Sequence, residues 1–110
     1  MTDYTIEFAA DVEMTGEHPH PPLLTTRIRP NLYIGGRFFI CALTGTMPNE
    51  GISGRGKGSI TATALCPAED VQRFVTGAGF ELRDGPSHPF AKGVFREIGP
   101  REKYNSSPAN

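Results

Sequence analysis

Tyr4, Ile6, Phe8, Ala10, Val12 and Met14 take every second position at the start of the chain, with Thr5, Glu7, Ala9, Asp11, Glu13 and Thr15 between them. Alternate side chains of a strand face opposite ways, so this period predicts a strand with one apolar and one acidic face, ended by Gly16. Glu17-His18-Pro19-His20-Pro21-Pro22 follows. Its three prolines remove three backbone donors, which makes it a loop. Leu23 to Ile28 and Arg29-Pro30 read as extended chain, because the residue before a proline is pushed out of the helical region. Asn31 to Ile34 and Arg37 to Leu43 read as strands separated by a Gly35-Gly36 turn or bulge.

Phe38 to Leu43 is unbroken apolar sequence. It predicts burial on both faces, against a partner if the chain itself does not cover it. Thr44 to Gly58 is rich in glycine and predicts a long mobile loop. Ile60, Ala62 and Ala64 alternate with Thr61 and Thr63 in a strand over Ser59 to Leu65 that Pro67 stops. Residues 69–75 predict one or two helical turns, with Val71, Phe74 and Val75 on one side and Gly77 as terminator. Gly79 to Arg83 alternates again, Asp84-Gly85-Pro86-Ser87 is a turn, and Phe90 to Ile98 is a last strand ended by Gly99-Pro100. About six strands, one short helix and close turns predict a small closed barrel or a sandwich. The barrel domain is expected over 1–99, with a polar, disordered tail over 100–110.

Composition narrows this picture little. The 110 residues suit one domain, and 13 glycines with 10 prolines favour turns over helices. Charge is more informative. The formal net charge of -1 hides five acids and no Lys or Arg before Arg27, then Arg27, Arg29, Arg37, Arg55 and Lys57 against Glu50 alone over 27–57. Two readings stand side by side: the acidic and basic segments neutralise each other across neighbouring strands, or the basic middle forms an anion-binding face. Cys41 and Cys66 each sit in an apolar run and read as buried free thiols. Met1 to Glu13 has neither a basic start nor an apolar core, so no signal peptide is expected, and no run is long enough for a transmembrane helix. The expected location is cytoplasmic, and the Met1 start and the tail read as those of an entire small protein.

Taken in order, these blocks resemble the C-terminal β-barrel, the third domain, of elongation factor Tu and its archaeal and eukaryotic counterparts. Gly16-Glu17-His18-Pro19 looks like the family's loop after the first strand. Arg29-Pro30-Asn31-Leu32-Tyr33 is similar to its Arg-Pro-Gln-Phe-Tyr, and Leu43-Thr44-Gly45 to its Val-Thr-Gly. Ile60 to Leu65 looks like its strand of alternating Val and Thr. Phe80-Glu81-Leu82-Arg83-Asp84-Gly85 with Gly93-Val94 looks like its closing hairpin.

The resemblance spans residues 4–98 and implies an all-β fold, a small six-stranded antiparallel β-barrel. It also implies contact with the T stem of tRNA through Asn31, Thr44 and Asp84. The chain departs from the family by extra residues at Gly35-Gly36, a longer link over 69–76, and a loop at His18 without the family's arginine. It also has no counterpart of the GTPase domain or of the second barrel.

Gly51-Ile52-Ser53-Gly54-Arg55-Gly56-Lys57-Gly58-Ser59 nearly fits a phosphate-binding P-loop. Gly58 stands where the magnesium-reaching Ser or Thr belongs, and a strand pattern follows where a helix is needed. Nucleotide hydrolysis is therefore not expected there, while Arg55 and Lys57 remain candidates for phosphate contact. His18, His20 and His88 read as surface histidines rather than a metal site.

The first functional reading is a non-catalytic module binding tRNA or other structured RNA, through Arg29, Asn31, Thr44, Arg55, Lys57 and Asp84. The second is a protein-binding module that docks on a translation-related protein or mimics one. A small enzyme of unknown class is the third. No cofactor, metal, membrane or DNA is expected.

Overall fold

The computed structural model describes residues 2–16, 22–85 and 88–104. The alternating segments become β1 (Asp3–Met14), β2 (Asn31–Ile34), β3 (Arg37–Met47), β4 (Lys57–Pro67), β5 (Gly79–Arg83) and β6 (Pro89–Lys103). All pairings are antiparallel, in the order β1-β4-β3-β2-β5-β6, and β6 returns to β1. The sheet is thus a closed six-stranded barrel in which every strand has a neighbour on each side.

Gly35 and Gly36 form the two-residue hairpin between β2 and β3, with φ of 54° and 90°. Such a turn needs positive φ at both central positions, which glycine adopts without steric cost. Two strands exceed their sequence patterns. β3 continues to Met47 through a bulge between Leu43 and Gly45. β6 passes Gly99-Pro100 and pairs on to Lys103, opposite Tyr4. The proline is tolerated because it falls where the β1–β6 register shifts, between the Phe8–Ile98 and Ile6–Arg101 pairs. The expected disordered tail is therefore strand as far as Lys103, and 105–110 lie outside the described residues.

The inward side chains make one core with five phenylalanines at its centre. Phe95 meets Phe8 edge-on at 5.0 Å, Phe80 at 4.7 Å and Phe74 at 5.6 Å, and Phe74 meets Phe39 at 5.5 Å. Phe74 comes from the segment expected to be helical. That segment is a 3-10 helix (Ala68–Arg73), and Val75, expected beside Phe74, is exposed instead. The barrel's other end is plugged by Leu24 and Ile52, both buried. Their backbones exchange hydrogen bonds of 3.0 and 3.1 Å. The stretch read as a mobile loop is thus pinned at Ile52. Glycine content reported the turns but not the single apolar side chain that anchors them.

The continuous run Phe38 to Leu43 is not buried on both faces. Phe39, Cys41 and Leu43 enter the core, while Phe38 and Ile40 point outward and are 46% and 63% exposed. Hydrophobicity alone could not separate the two faces. The hairpin does, because Tyr33 lies opposite Phe38 and Leu32 opposite Phe39.

Both cysteines are buried and free. Burial pushes the Cys41 thiol from 9.0 up to about 12. It pushes Cys66 up to about 11, with the negative charges of Asp70 and Asp3 adding to it. Native protein should resist a thiol reagent at neutral pH and react at both cysteines once unfolded. Between pH 9 and about 11 the unfolded thiols lose protons that the folded ones keep. The folded state binds more protons there, so stability falls as pH rises, by about 1 kcal/mol per thiol near pH 10. Urea titrations at neutral pH and near pH 10 check this. Equal pH dependence in a Cys41→Ala/Cys66→Ala variant would refute it.

Candidate protein-docking face

The outer surface of β2 and its two neighbours gathers the side chains that a folding core does not need. Asn31 and Tyr33 point outward from β2. On one side they face Ile40 and Phe38 of β3, and on the other Arg83 and Glu81 of β5. Leu65 of β4 lies beside Ile40 and is half-buried.

The rings of Tyr33 and Phe38 are 4.9 Å apart. The Arg83 guanidinium lies over Tyr33, 4.1 Å from the ring centre, and its Nε donates to Glu81 at 2.8 Å. A guanidinium clamped between a ring and a carboxylate holds Tyr33 in place, so the aromatic part of the face is pre-ordered.

At the upper end of the same face is a hollow of about 180 Å³, lined by Arg29, Asn31, Arg83 and Asp84 over Pro30 and Phe90. It brings together three of the six residues expected to bind a partner: Arg29, Asn31 and Asp84. Among the described residues, no ion pair or side-chain hydrogen bond engages Arg29 or Asn31. Asp84 has a partner of its own.

The other three expected site residues lie elsewhere. Thr44 is the extra residue of the β3 bulge, four positions along from Ile40, or roughly 13 Å. Its hydroxyl bonds to that of Thr61 at 3.0 Å, in a separate groove with Glu7 and Glu97. Arg55 lies against Gly16 in the loop between β3 and β4. Lys57 pairs with Glu13 of β1 at 3.7 Å.

That last contact belongs to an outward row, Glu81, Lys92, Glu13, Lys57, on four successive strands. Signs alternate along it, so charge of the acidic first segment and of the basic middle is matched across strands. Arg37 is matched too, donating to Asp70 at 2.9 Å at the far end of the barrel. His88 is exposed, and His18 and His20 lie outside the described residues.

Reading the sequence missed Tyr33, Phe38, Ile40, Leu65 and Arg83 as surface residues. A signal for the first three was present. Two central residues between β2 and β3 fix which positions face each other, and the parity follows from Leu32 and Ile34 being apolar. Nothing in the sequence marked Arg83 as the partner of Tyr33.

The chain matches no known protein-family model and no curated protein. Among the described residues no helix is long and apolar enough to cross a membrane.

Proposed function

We propose that the chain is a non-catalytic protein-binding module whose docking surface is the outer face of β2, β3 and β5. The observation that carries this reading is the exposure of Phe38 and Ile40, side by side on an ordered strand and flanked by Tyr33 and Arg83. Single exposed apolar residues are ordinary, but a contiguous set with aromatic and arginine neighbours has the composition of interface hot spots. The pairing of Lys57 with Glu13 and of Arg37 with Asp70 weakens the case for a phosphate-binding face. The resemblance to a translation-factor barrel supports a translation-related protein as partner, since such a barrel packs on its own GTPase domain.

The test is affinity capture from a lysate of the protein's own cells, with and without nuclease, using wild type and a Phe38→Ser/Ile40→Asp variant. Both side chains face away from the core, so the variant should still fold, which circular dichroism checks. A defined set of proteins, indifferent to nuclease and lost with the variant, is expected. Capture that nuclease abolishes and the variant retains would replace this reading with the RNA one, centred on Arg29, Asn31 and Asp84.

A further inference from the structure

We propose that the segment docking on this face is acidic as well as apolar: bulky apolar side chains cover Phe38, Ile40 and Leu65, and a carboxylate meets Arg29 and Asn31. This rests on the protein-binding reading above and adds the partner's chemistry.

Most charges of the face are already engaged. Glu81 and Arg83 satisfy each other, and Arg83 also lies on Tyr33. Asp84 is engaged as well. What remains is the exposed Arg29 guanidinium and the Asn31 amide, lining the same hollow and without side-chain partners among the described residues. A guanidinium presents a planar pair of donors that fits a carboxylate, and an amide nitrogen can add a further donor. The complementary group on a partner protein is therefore Asp, Glu or a chain-terminal carboxylate.

Spacing joins that group to the apolar anchor. Asn31 and Tyr33 are successive outward positions of β2, Phe38 is directly across from Tyr33, and Arg29, two residues before Asn31, lines the hollow with it. Four residues of chain separate Arg29 from Tyr33, so their backbones lie at most roughly 13 Å apart. That distance is about two turns of a helix, or about four residues of extended segment. At this face β2 is paired on both sides, with β3 and with β5, and offers no edge to a partner strand, so recognition here works through side chains. A nucleic acid fits less well. It would leave Ile40 and Leu65 without apolar cover.

The test is selection of a displayed random-peptide library on the wild-type protein, with the enriched peptides then measured against Arg29→Glu and Ile40→Asp. Circular dichroism and melting temperature first establish that both variants are folded. Enriched sequences should combine acidic with bulky apolar residues. They should bind Arg29→Glu at least about tenfold more weakly, the loss expected when a charge-assisted contact is reversed. They should lose measurable binding to Ile40→Asp.

Enriched peptides that need Ile40 but show no acidic bias, or that ignore Arg29→Glu, would overturn this inference and leave the protein-binding reading standing. Peptides indifferent to Ile40→Asp would overturn both. No enrichment, together with a dimer in sedimentation that Ile40→Asp abolishes, would assign the face to a second copy of the chain and overturn the acidic partner.

Discussion

Gly93→Ala is expected to destabilise the barrel by about 3 kcal/mol, and Gly93→Val to prevent folding. On the inward side, Gly58, Val12 and Gly93 form one cross-strand row over β4, β1 and β6, and Phe80 of β5 continues it. The Phe80 ring lies directly over Gly93, so that a Cβ there would sit 2.3 to 2.9 Å from three ring atoms. Real Cβ contacts do not come so close, and the ring cannot swing away. It is buried and held by Phe95 at 4.7 Å and Phe8 at 5.9 Å. Interiors packed to crystal density transmit such a push instead of absorbing it. Urea denaturation of Gly93→Ala measures the cost, and Gly93→Ala/Phe80→Leu supplies the control. Space freed at the ring should restore part of the loss, giving a favourable coupling in the double-mutant cycle. A Gly93→Ala protein as stable as wild type would show that Phe80 does not fill this space.

The second large effect is expected at the opposite end of the barrel. Asp70 is 1% exposed and is the one charged side chain in the core among the described residues. Its two oxygens accept from Arg37 Nη2 at 2.9 Å and Arg73 Nε at 2.7 Å, which ties the 3-10 helix to the β2–β3 hairpin. The arginines are partly in water and the carboxylate is not, so the two sides of this contact are unequal. Arg37→Met/Arg73→Met leaves a buried charge unpaired, a change that typically costs about 3–5 kcal/mol. Asp70→Ala leaves two arginines that can rehydrate, and should cost less.

Hydrogen exchange locates the effect. In the double variant the amides of residues 68–78 should exchange faster than those of β1 and β6, because Phe74 is held in place by that tie. Uniform protection, or a larger loss from Asp70→Ala than from the double variant, would show that the pair contributes little.

These two sites mark what the sequence made legible and what it did not. The period of two in β1 and β4 identified their inward residues, and the Gly-Gly pair placed a turn, because both are local consequences of backbone geometry. Asp70 offered no such sign. An acid after Pro67 looks like any first-turn acid, and only the closure of the barrel places it beneath Arg37, thirty-three residues earlier. Arg37 itself occupies the inward phase of β3, the phase of Phe39 and Cys41, and at the barrel's end that phase points to Asp70. The face of Phe38 and Ile40 was hidden by an unbroken apolar run in which hydrophobicity carries no parity. Of the expected site, the hollow with Arg29, Asn31 and Asp84 came together because Asn31 and Arg83 are register partners. Thr44, Arg55 and Lys57 did not join it, since spacing along a chain does not report position around a barrel.

The order of closure has one more consequence, for how the chain acquires its structure. β1 is made first, yet it pairs with β4 and β6 and with neither β2 nor β3. Tyr4 waits for Cys66 on one side and for Lys103 on the other. An alternating strand therefore keeps both edges bare until β4 is made, and one edge bare until β6 is. Contacts of such long sequence separation form slowly, because the loop entropy is lost before the contacts compensate it. The acids on its outward face, Glu7, Asp11 and Glu13, then have a second use. Before closure they make copies of the nascent strand repel one another, so Glu13, which later matches Lys57 and Lys92, first helps Glu7 and Asp11 keep β1 from aggregating.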